Sequence, residues 1–212
     1  MKYPDNIGEL IQLPIDYIGL IMYDKSPRCF MAEDKDITAD ARREALFSIP
    51  GHIKRTGVFV DEEPMNVFFY AKHMKLDAVQ LHGRESIEDC ELIKRSSPHV
   101  QIIKAISVSE KDDLQSAEKY SHVADLLLFD TKTPEHGGSG QKFDWNVLNE
   151  YKGDIPFMLS GGISIEDVEA IKGLKHPKLI GVDLNSKFEI KPGLKDIELL
   201  RQFIKQLNDE QD

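Results

Sequence analysis

Three apolar segments of this 212-residue sequence lead into side chains that can transfer protons or bind anions. Asp130 follows Leu-Leu-Leu-Phe, His82 follows Val-Gln-Leu, and Arg28 follows a Ser-Pro pair. A carboxyl group removed from water can deliver a proton near neutral pH, and a guanidinium group can bind a carboxylate or stack on an aromatic ring. Asp130 is therefore a candidate general acid, and Arg28 and His82 are candidate substrate-binding residues. Structural roles for the three, such as Asp130 capping its own turn, stay open.

Glycine-rich and small polar segments follow the same kind of apolar run. Gly138 and Gly140 belong to a Gly-Gly-Ser-Gly stretch soon after Asp130, where amides without a neighbouring Cβ can approach a substrate closely. We expect this stretch to cover the substrate, with a plain long loop as the alternative. Backbone N–H groups at two later segments are suited to holding a phosphate. The phosphate-binding candidates are Gly161, Gly162, Asn185 and Ser186.

Short aliphatic runs alternate with amphipathic segments of helical period, which is typical of parallel strands joined by crossover helices. The predicted strands are 17–22, 54–60, 78–81, 101–106, 126–129, 156–160 and 179–183. The predicted helices are 4–13, 38–47, 64–74, 86–95, 110–119, 145–150, 165–173 and 196–207. Eight helices and seven strands predict an α/β fold, a (β/α)8 TIM barrel in one domain over 1–212 whose first strand would precede residue 1. A doubly wound open sheet is the competing topology.

The composition narrows the classes of function. A net charge of −10 disfavours nucleic-acid and anionic-membrane partners, although helix N-termini and a few placed cations can still hold a small phosphorylated substrate. The chain shows no signal-peptide pattern and no apolar run long enough for a bilayer, so we expect a cytoplasmic protein. Cys29 and Cys90 form no metal-binding pattern, and we expect no metal. A monomer and a homodimer remain equally open.

Several of these segments, in this order, resemble the phosphoribosylanthranilate isomerases of tryptophan biosynthesis. The matching segments are GLIMYDKSPR, TGVFV, VQLHG, LLLFDTKTPEHGGSGQKFDW, LSGGI and GVDLNSKFEIKPGLKD. The resemblance runs from about Ile18 to the C-terminus, and the stretch around Asp130 is its most specific part. It implies an enzyme without a cofactor that opens a phosphorylated ribosylamine and isomerises it in an Amadori rearrangement.

The resemblance also implies roles for individual residues. Asp130 matches the general acid, Arg28 the residue that contacts the anthranilate part of the substrate, and His82 a pocket position. One departure is that Asn185, Ser186 and Lys187 stand where the family commonly has Ser-Ser-Gly, which changes the expected shape of the phosphate loop.

The beginning of the sequence is the larger departure. In the family, a strand ending in Cys-Gly precedes the first helix, and its cysteine is the general base that takes the C2′ proton. Met1 matches the residue after that glycine, and neither Cys29 nor Cys90 occupies the cysteine position. We therefore expect the base to lie upstream and residues 1–212 alone to be impaired.

Two other functions remain open at this point. One is a different phosphosugar isomerase on the same barrel, which an acidic residue in place of the upstream cysteine would favour. The other is a non-catalytic barrel that binds a phosphorylated metabolite.

Overall fold

The computed structural model describes residues 1–131 and 143–209. Seven strands form one parallel sheet: β1 (Tyr17–Ile21), β2 (Lys54–Phe59), β3 (Ala78–Leu81), β4 (Gln101–Val108), β5 (Leu126–Thr131), β6 (Phe157–Leu159) and β7 (Leu179–Val182). The strands are hydrogen-bonded in sequence order from β1 to β7. A doubly wound sheet reverses its strand order at a switch point, and this sheet does not, so the competing topology is wrong. The predicted barrel-type fold with seven strands is confirmed.

Helices connect the strands as expected for parallel pairing. The α-helices are α1 (Pro4–Leu10), α2 (Ala39–Ser48), α3 (Pro64–His73), α4 (Ile87–Ser96), α5 (Gln115–Glu118), α6 (Val168–Gly173) and α7 (Ile197–Asn208). Short 3₁₀ helices span Lys111–Leu114 before α5, Trp145–Glu150 between β5 and β6, Ile165–Asp167 before α6, and Ser186–Phe188 after β7. All eight predicted helical segments are present, although the first ends at Leu10 and the sixth is 3₁₀ rather than α.

The sequence analysis missed the 3₁₀ helix Ser186–Phe188 and an antiparallel hairpin of β8 (Glu189–Lys191) and β9 (Leu194–Lys195). Gly193 lies in its turn with φ of +82°, a backbone conformation that glycine adopts without strain. The hairpin follows β7 and leads into α7, so it lies next to one edge of the sheet.

The central strands β3, β5 and β6 bury both faces, which explains their mainly apolar sequences. One face of the sheet forms an inner apolar cluster that includes Ala78, Ile103, Ala105, Leu126, Leu128 and Met158. The other face packs under the helices in a larger cluster that includes Val79, Leu81, Leu127 and Phe129. Because side chains alternate along a strand, the sequence position alone decides which of the two layers a residue joins.

The outermost strands of the sheet are β1 and β7, and in the described part of the chain they are not paired with each other. Met1 lies beside β1, where its amino group donates to the carbonyl of Gly19 over 2.6 Å. No helix in residues 1–131 and 143–209 is long and apolar enough to cross a membrane.

Candidate active site

Strand alternation directs the acid candidate into the interior of the sheet. Leu126 and Leu128 of β5 point to the inner cluster, so Asp130, two residues on, points the same way at the carboxyl end of the strand. Ala78 of β3 has the same relation to His82 four residues later. Two chemically competent side chains from strands that are not neighbours therefore meet at one end of the sheet.

His82 and Asp130 contact each other directly. The Nε2 atom of His82 lies 3.0 Å from Oδ2 of Asp130, and the Nδ1 atom lies 2.8 Å from Nε2 of Gln80. The other carboxylate oxygen of Asp130 accepts a hydrogen bond from the backbone N–H of Thr131 over 2.8 Å. Asp130 is thus held at both oxygens, with one side of its carboxyl group open to the interior.

A buried ion pair fixes the turn that carries His82. The Lys104 ammonium donates to the carbonyls of Leu81 and Gly83 and to the Glu85 carboxylate, at 2.8 to 3.0 Å. Both charged side chains are 2% exposed, and Glu85 also accepts from the Gly83 amide. These bonds tie strand β4 to the backbone on either side of His82. They therefore hold the turn from which the His82 ring projects.

Gly161, which is predicted to bind phosphate, lies against the carboxyl group of Asp130. Gly161 has φ of +94°, and a Cβ at this position would lie 2.9 Å from Oδ1 of Asp130 and in closer conflict with Thr131. Gly162 also has a positive φ, of +67°. Glycine is therefore required sterically at position 161, where the backbone after β6 crosses the end of β5, and is favoured at position 162 by the positive φ.

Asp183 is a site residue that the sequence analysis missed. Asp183 directly follows β7, at a position similar to that of Asp130 at the end of β5. Its Oδ2 atom accepts a hydrogen bond from Ser160 Oγ over 3.1 Å. Burial, together with the nearby charge of Asp130, raises the pKa of the Asp183 carboxyl group, and Lys195 opposes this only in part. The signal was available, because the runs before Asp130 and Asp183 have the same apolar pattern and the same acidic end.

The guanidinium of Arg28 forms an ion pair with the hairpin. Its Nε and Nη2 atoms each lie 2.8 Å from Oε2 of Glu189, whose side chain is 4% exposed. Although burial opposes it, the ion pairs with Arg28 and Lys195 hold the pKa of Glu189 below its usual value. Arg28 is therefore not a solvated surface residue, since it is tied to the unpredicted hairpin and lines the interior.

The second half of the predicted phosphate site is organised by Lys195 of β9. Its ammonium donates to the carbonyls of Leu184 and Asn185 and to the side-chain oxygen of Asn185, at 2.9 to 3.1 Å. Burial lowers the pKa of Lys195, while Glu189 and Asp183 act in the opposite direction. This lysine shapes the backbone just before Ser186, the segment where the sequence departs from the family pattern.

One cavity of about 860 Å³ joins these groups, a size suited to a small-molecule ligand. It is lined by every predicted site residue that the structure describes, namely Arg28, His82, Asp130, Gly161, Gly162, Asn185 and Ser186. Asp183 and Lys195 also line it. Gly138 and Gly140 lie outside the described residues, so their predicted role stays a prediction.

The cysteines are placed elsewhere. Cys29 and Cys90 are both buried, and among the described residues neither belongs to the cavity lining. Burial raises the pKa of the Cys90 thiol to about 11, which opposes thiolate formation. Within residues 1–131 and 143–209, no group of three or more His, Cys, Asp or Glu side chains is arranged to hold a metal ion.

Comparison with known proteins agrees with this geometry. The family model described as N-(5'phosphoribosyl)anthranilate (PRA) isomerase matches residues 2–206. An N-(5'-phosphoribosyl)anthranilate isomerase from Parabacteroides distasonis is 42% identical over 207 residues, covering 98% of this chain and 90% of its relative.

Solved structures give the same result at the level of the fold. The crystal structure of phosphoribosyl anthranilate isomerase from Thermotoga maritima is 33% identical, with a TM-score of 0.80, 98% of this chain covered and 95% of the other. A phosphoribosyl anthranilate isomerase in complex with reduced 1-(o-carboxyphenylamino)-1-deoxyribulose 5-phosphate is 29% identical, with a TM-score of 0.77 and coverage of 98% and 94%. With the acid, the arginine and the glycine pair in one cavity and the match extending over nearly the whole sequence, the chain belongs to the N-(5'-phosphoribosyl)anthranilate isomerase family.

Proposed function

We propose that this protein converts N-(5'-phosphoribosyl)anthranilate to 1-(2-carboxyphenylamino)-1-deoxyribulose 5-phosphate in tryptophan biosynthesis. The observation that carries the proposal is the cavity that is lined by Asp130 and Arg28 together with two backbone segments. These segments are Gly161 with Gly162, and Asn185 with Ser186. Such a substrate carries an aromatic carboxylate at one end, a phosphate at the other and a ribose ring between them. The cavity offers a cation, backbone amides and a carboxyl group in the corresponding places.

Asp130 acts as the general acid in this proposal. It delivers a proton to the ribose ring oxygen as the C–O bond breaks, and the electron pair on the anthranilate nitrogen forms the iminium that results. The hydrogen bonds from Thr131 and His82 then stabilise the carboxylate that Asp130 becomes. Loss of the C2′ proton gives the enolamine, which tautomerises to the ketone product.

Arg28 binds the anthranilate carboxylate. Two of its nitrogens are held by Glu189, and a guanidinium group has five N–H donors in a planar fork, so donors remain for a second carboxylate. His82 contacts the substrate beside Asp130.

The phosphate is held by the backbone amides of Gly161, Gly162, Asn185 and Ser186. These segments follow β6 and β7, the part of a barrel where phosphate sites are common. Lys195 keeps the second segment in shape and adds positive charge near it. The Gly-rich segment with Gly138 and Gly140 covers the bound substrate.

The remaining properties follow from the same picture. A single domain over 1–212 is supported by the one seven-stranded sheet, and the lack of nucleic-acid and anionic-membrane partners by the net charge of −10; we expect the protein in the cytoplasm. The protein works without a cofactor, as a monomer or homodimer; the Thermotoga maritima enzyme is described as dimeric.

Turnover by the protein expressed from its own gene tests the proposal. Mixed with N-(5'-phosphoribosyl)anthranilate, it should consume the substrate at an ordinary enzymatic rate, with the product identified by mass spectrometry. Binding without conversion would favour the non-catalytic barrel. Faster conversion of a phosphoribosylated amine without the anthranilate ring would favour the other phosphosugar isomerase.

A crystal grown with inorganic phosphate tests the anion site separately. The phosphate should lie on the amides of Gly161, Gly162, Asn185 and Ser186. An anion bound only at surface lysines, with these amides turned away, would contradict the assignment.

A further inference from the structure

The described function leaves one interior side chain unexplained, the amide of Gln80. It lies in the middle of β3 and is 8% exposed. Its neighbours across the sheet are Val58 of β2 and Ile103 of β4, so the adjacent strands present aliphatic side chains to it. A primary amide in such surroundings is costly unless it is hydrogen-bonded. Strand alternation places His82 on the same face two residues later, and its ring is the partner.

The contact between Gln80 and His82 has a defined direction. The amide nitrogen of Gln80 lies 2.8 Å from Nδ1 of His82, and an amide nitrogen can only donate. Nδ1 must therefore accept. A neutral imidazole has a single N–H group, so in the neutral form of this ring the proton is on Nε2. That N–H points at Oδ2 of Asp130, which is 3.0 Å away.

We propose that Gln80 is a positioning residue, which selects the Nε2–H tautomer of His82 so that the ring donates to Asp130. This inference rests on the proposed function only in that Asp130 is the acid; the tautomer is a property of the free protein. An Nε2–H donor stabilises the carboxylate that remains after Asp130 has released its proton. The other tautomer would direct a lone pair at that carboxylate and oppose the same step.

The rest of the site supports this role. The backbone N–H of His82 donates to Phe59 of β2 over 2.8 Å, and the Lys104–Glu85 pair holds the following turn. The backbone that carries the ring is therefore fixed by the fold without Gln80. The contribution left to Gln80 is to hold Nδ1 as an acceptor, in concert with the Asp130 carboxylate that accepts from Nε2, and a side chain of the same shape that accepts instead of donating should place a proton on Nδ1.

Gln80→Glu is that change, because a carboxylate accepts where the amide nitrogen donates. The protein would be labelled with ¹⁵N-histidine, and two-bond ¹H–¹⁵N correlations recorded at about pH 8, where an ordinary histidine is neutral. The chain has seven histidines, so the His82 signals are assigned by their loss in His82→Asn. In the parent, Nε2 should carry the proton and Nδ1 should not. In Gln80→Glu, Nδ1 should become protonated.

Two further variants keep the test decisive. Gln101→Glu is the matched control, since Gln101 at the opposite end of the sheet binds Lys54 and Tyr17 and should leave the His82 signals unchanged. Gln80→Leu removes the donor without adding charge, and it should give a mixture of both tautomers even if Gln80→Glu folds poorly. An Nδ1–H signal in the parent, or an unchanged tautomer in Gln80→Glu and Gln80→Leu, would overturn the inference.

Kinetics connect the tautomer to the reaction. We expect Gln80→Glu to lower kcat about 10-fold with KM changed less than about twofold, and to have no further effect in a His82→Asn background. An unaltered kcat in a variant whose tautomer has reversed would refute the positioning role. The ¹⁵N measurement needs no substrate, so a failure of the proposed function would leave its result intact.

Discussion

Two buried lysines hold segments that carry site residues, and they do so from very different parts of the fold. Lys104 projects from β4, a central strand, and is bonded to the turn under His82 together with Glu85. Lys195 projects from β9, the two-residue second strand of a small hairpin. Its ammonium group donates a hydrogen bond to the carbonyl of Asn185. The carboxylate of Glu189 lies 3.5 Å from the Lys195 ammonium group and also forms an ion pair with Arg28.

The difference separates rigid from adjustable parts of the site. The His82 turn is bonded to a central strand of the seven-stranded sheet. Moving this turn therefore requires the sheet to open, which costs about as much free energy as global unfolding. The Asn185 segment and Arg28 depend on a small hairpin at the edge of that sheet. We infer that the fold fixes the His82–Asp130 pair most firmly and leaves the groups proposed to bind the two substrate anions more adjustable.

The largest expected effect comes from breaking the rigid side. Lys104→Met should lower the free energy of unfolding by about 3–5 kcal/mol, because Glu85 would remain charged and buried without its partner. Urea denaturation followed by circular dichroism measures this change. Adding Glu85→Gln to the variant should recover part of the loss.

Lys94→Met is the matched control for that prediction. Lys94 also pairs with an aspartate, Asp125, but both side chains are more than a third exposed. Its removal should cost less than about 1 kcal/mol. Equal losses for the two lysines would show that the buried pair does not hold the turn.

Breaking the adjustable side should have a smaller effect on stability and a clearer one on binding. Lys195→Met leaves two carbonyls and the Asn185 side chain without their donor, at a cost of about 1–3 kcal/mol. It should also weaken phosphate binding about 10-fold, measured by calorimetry with inorganic phosphate. Lys178→Met, at an exposed lysine, serves as the control; phosphate affinity equal in both variants would remove Lys195 from the site.

The last effect concerns Asp183 and depends on pH. Since the folded protein raises the pKa of Asp183, its neutral form is favoured by folding, and this contribution is lost as the pH rises through the raised pKa. Asp183→Asn cannot lose a proton there. Its free energy of unfolding relative to the parent should therefore improve as the pH rises above the ordinary aspartate pKa of about 4, whereas that of the exposed-site control Asp154→Asn should not. A parallel pH profile for parent and Asp183→Asn would contradict the raised pKa.

The sequence predicts the large elements well, for a physical reason. Parallel strands buried on both faces read as continuous apolar runs, and the runs before Asp130 and His82 are of this kind. The site residues at their ends could be found because carboxyl ends of parallel strands meet at one side of a sheet. The same rule would have found Asp183.

Other features have no comparable signal. The hairpin strands are three and two residues long and rich in charge, which is too short for any periodic pattern. Lys104 lies in an otherwise apolar strand, where a lysine normally faces water, and its burial depends on Glu85 reaching it across the sheet. Such partnerships between distant positions follow from tertiary packing, and a single sequence does not reveal them.

The central claim is that Asp130 supplies the proton that opens the ribose ring, and the kcat of Asp130→Asn tests it most directly. Asparagine keeps the shape of the side chain but has no carboxyl proton to donate. The kcat should therefore fall about 10²-fold or more relative to the parent protein that begins and ends at the same residues. KM should change little, and the surface variant Asp154→Asn should behave as the parent. A kcat for Asp130→Asn within about threefold of the parent would contradict the account.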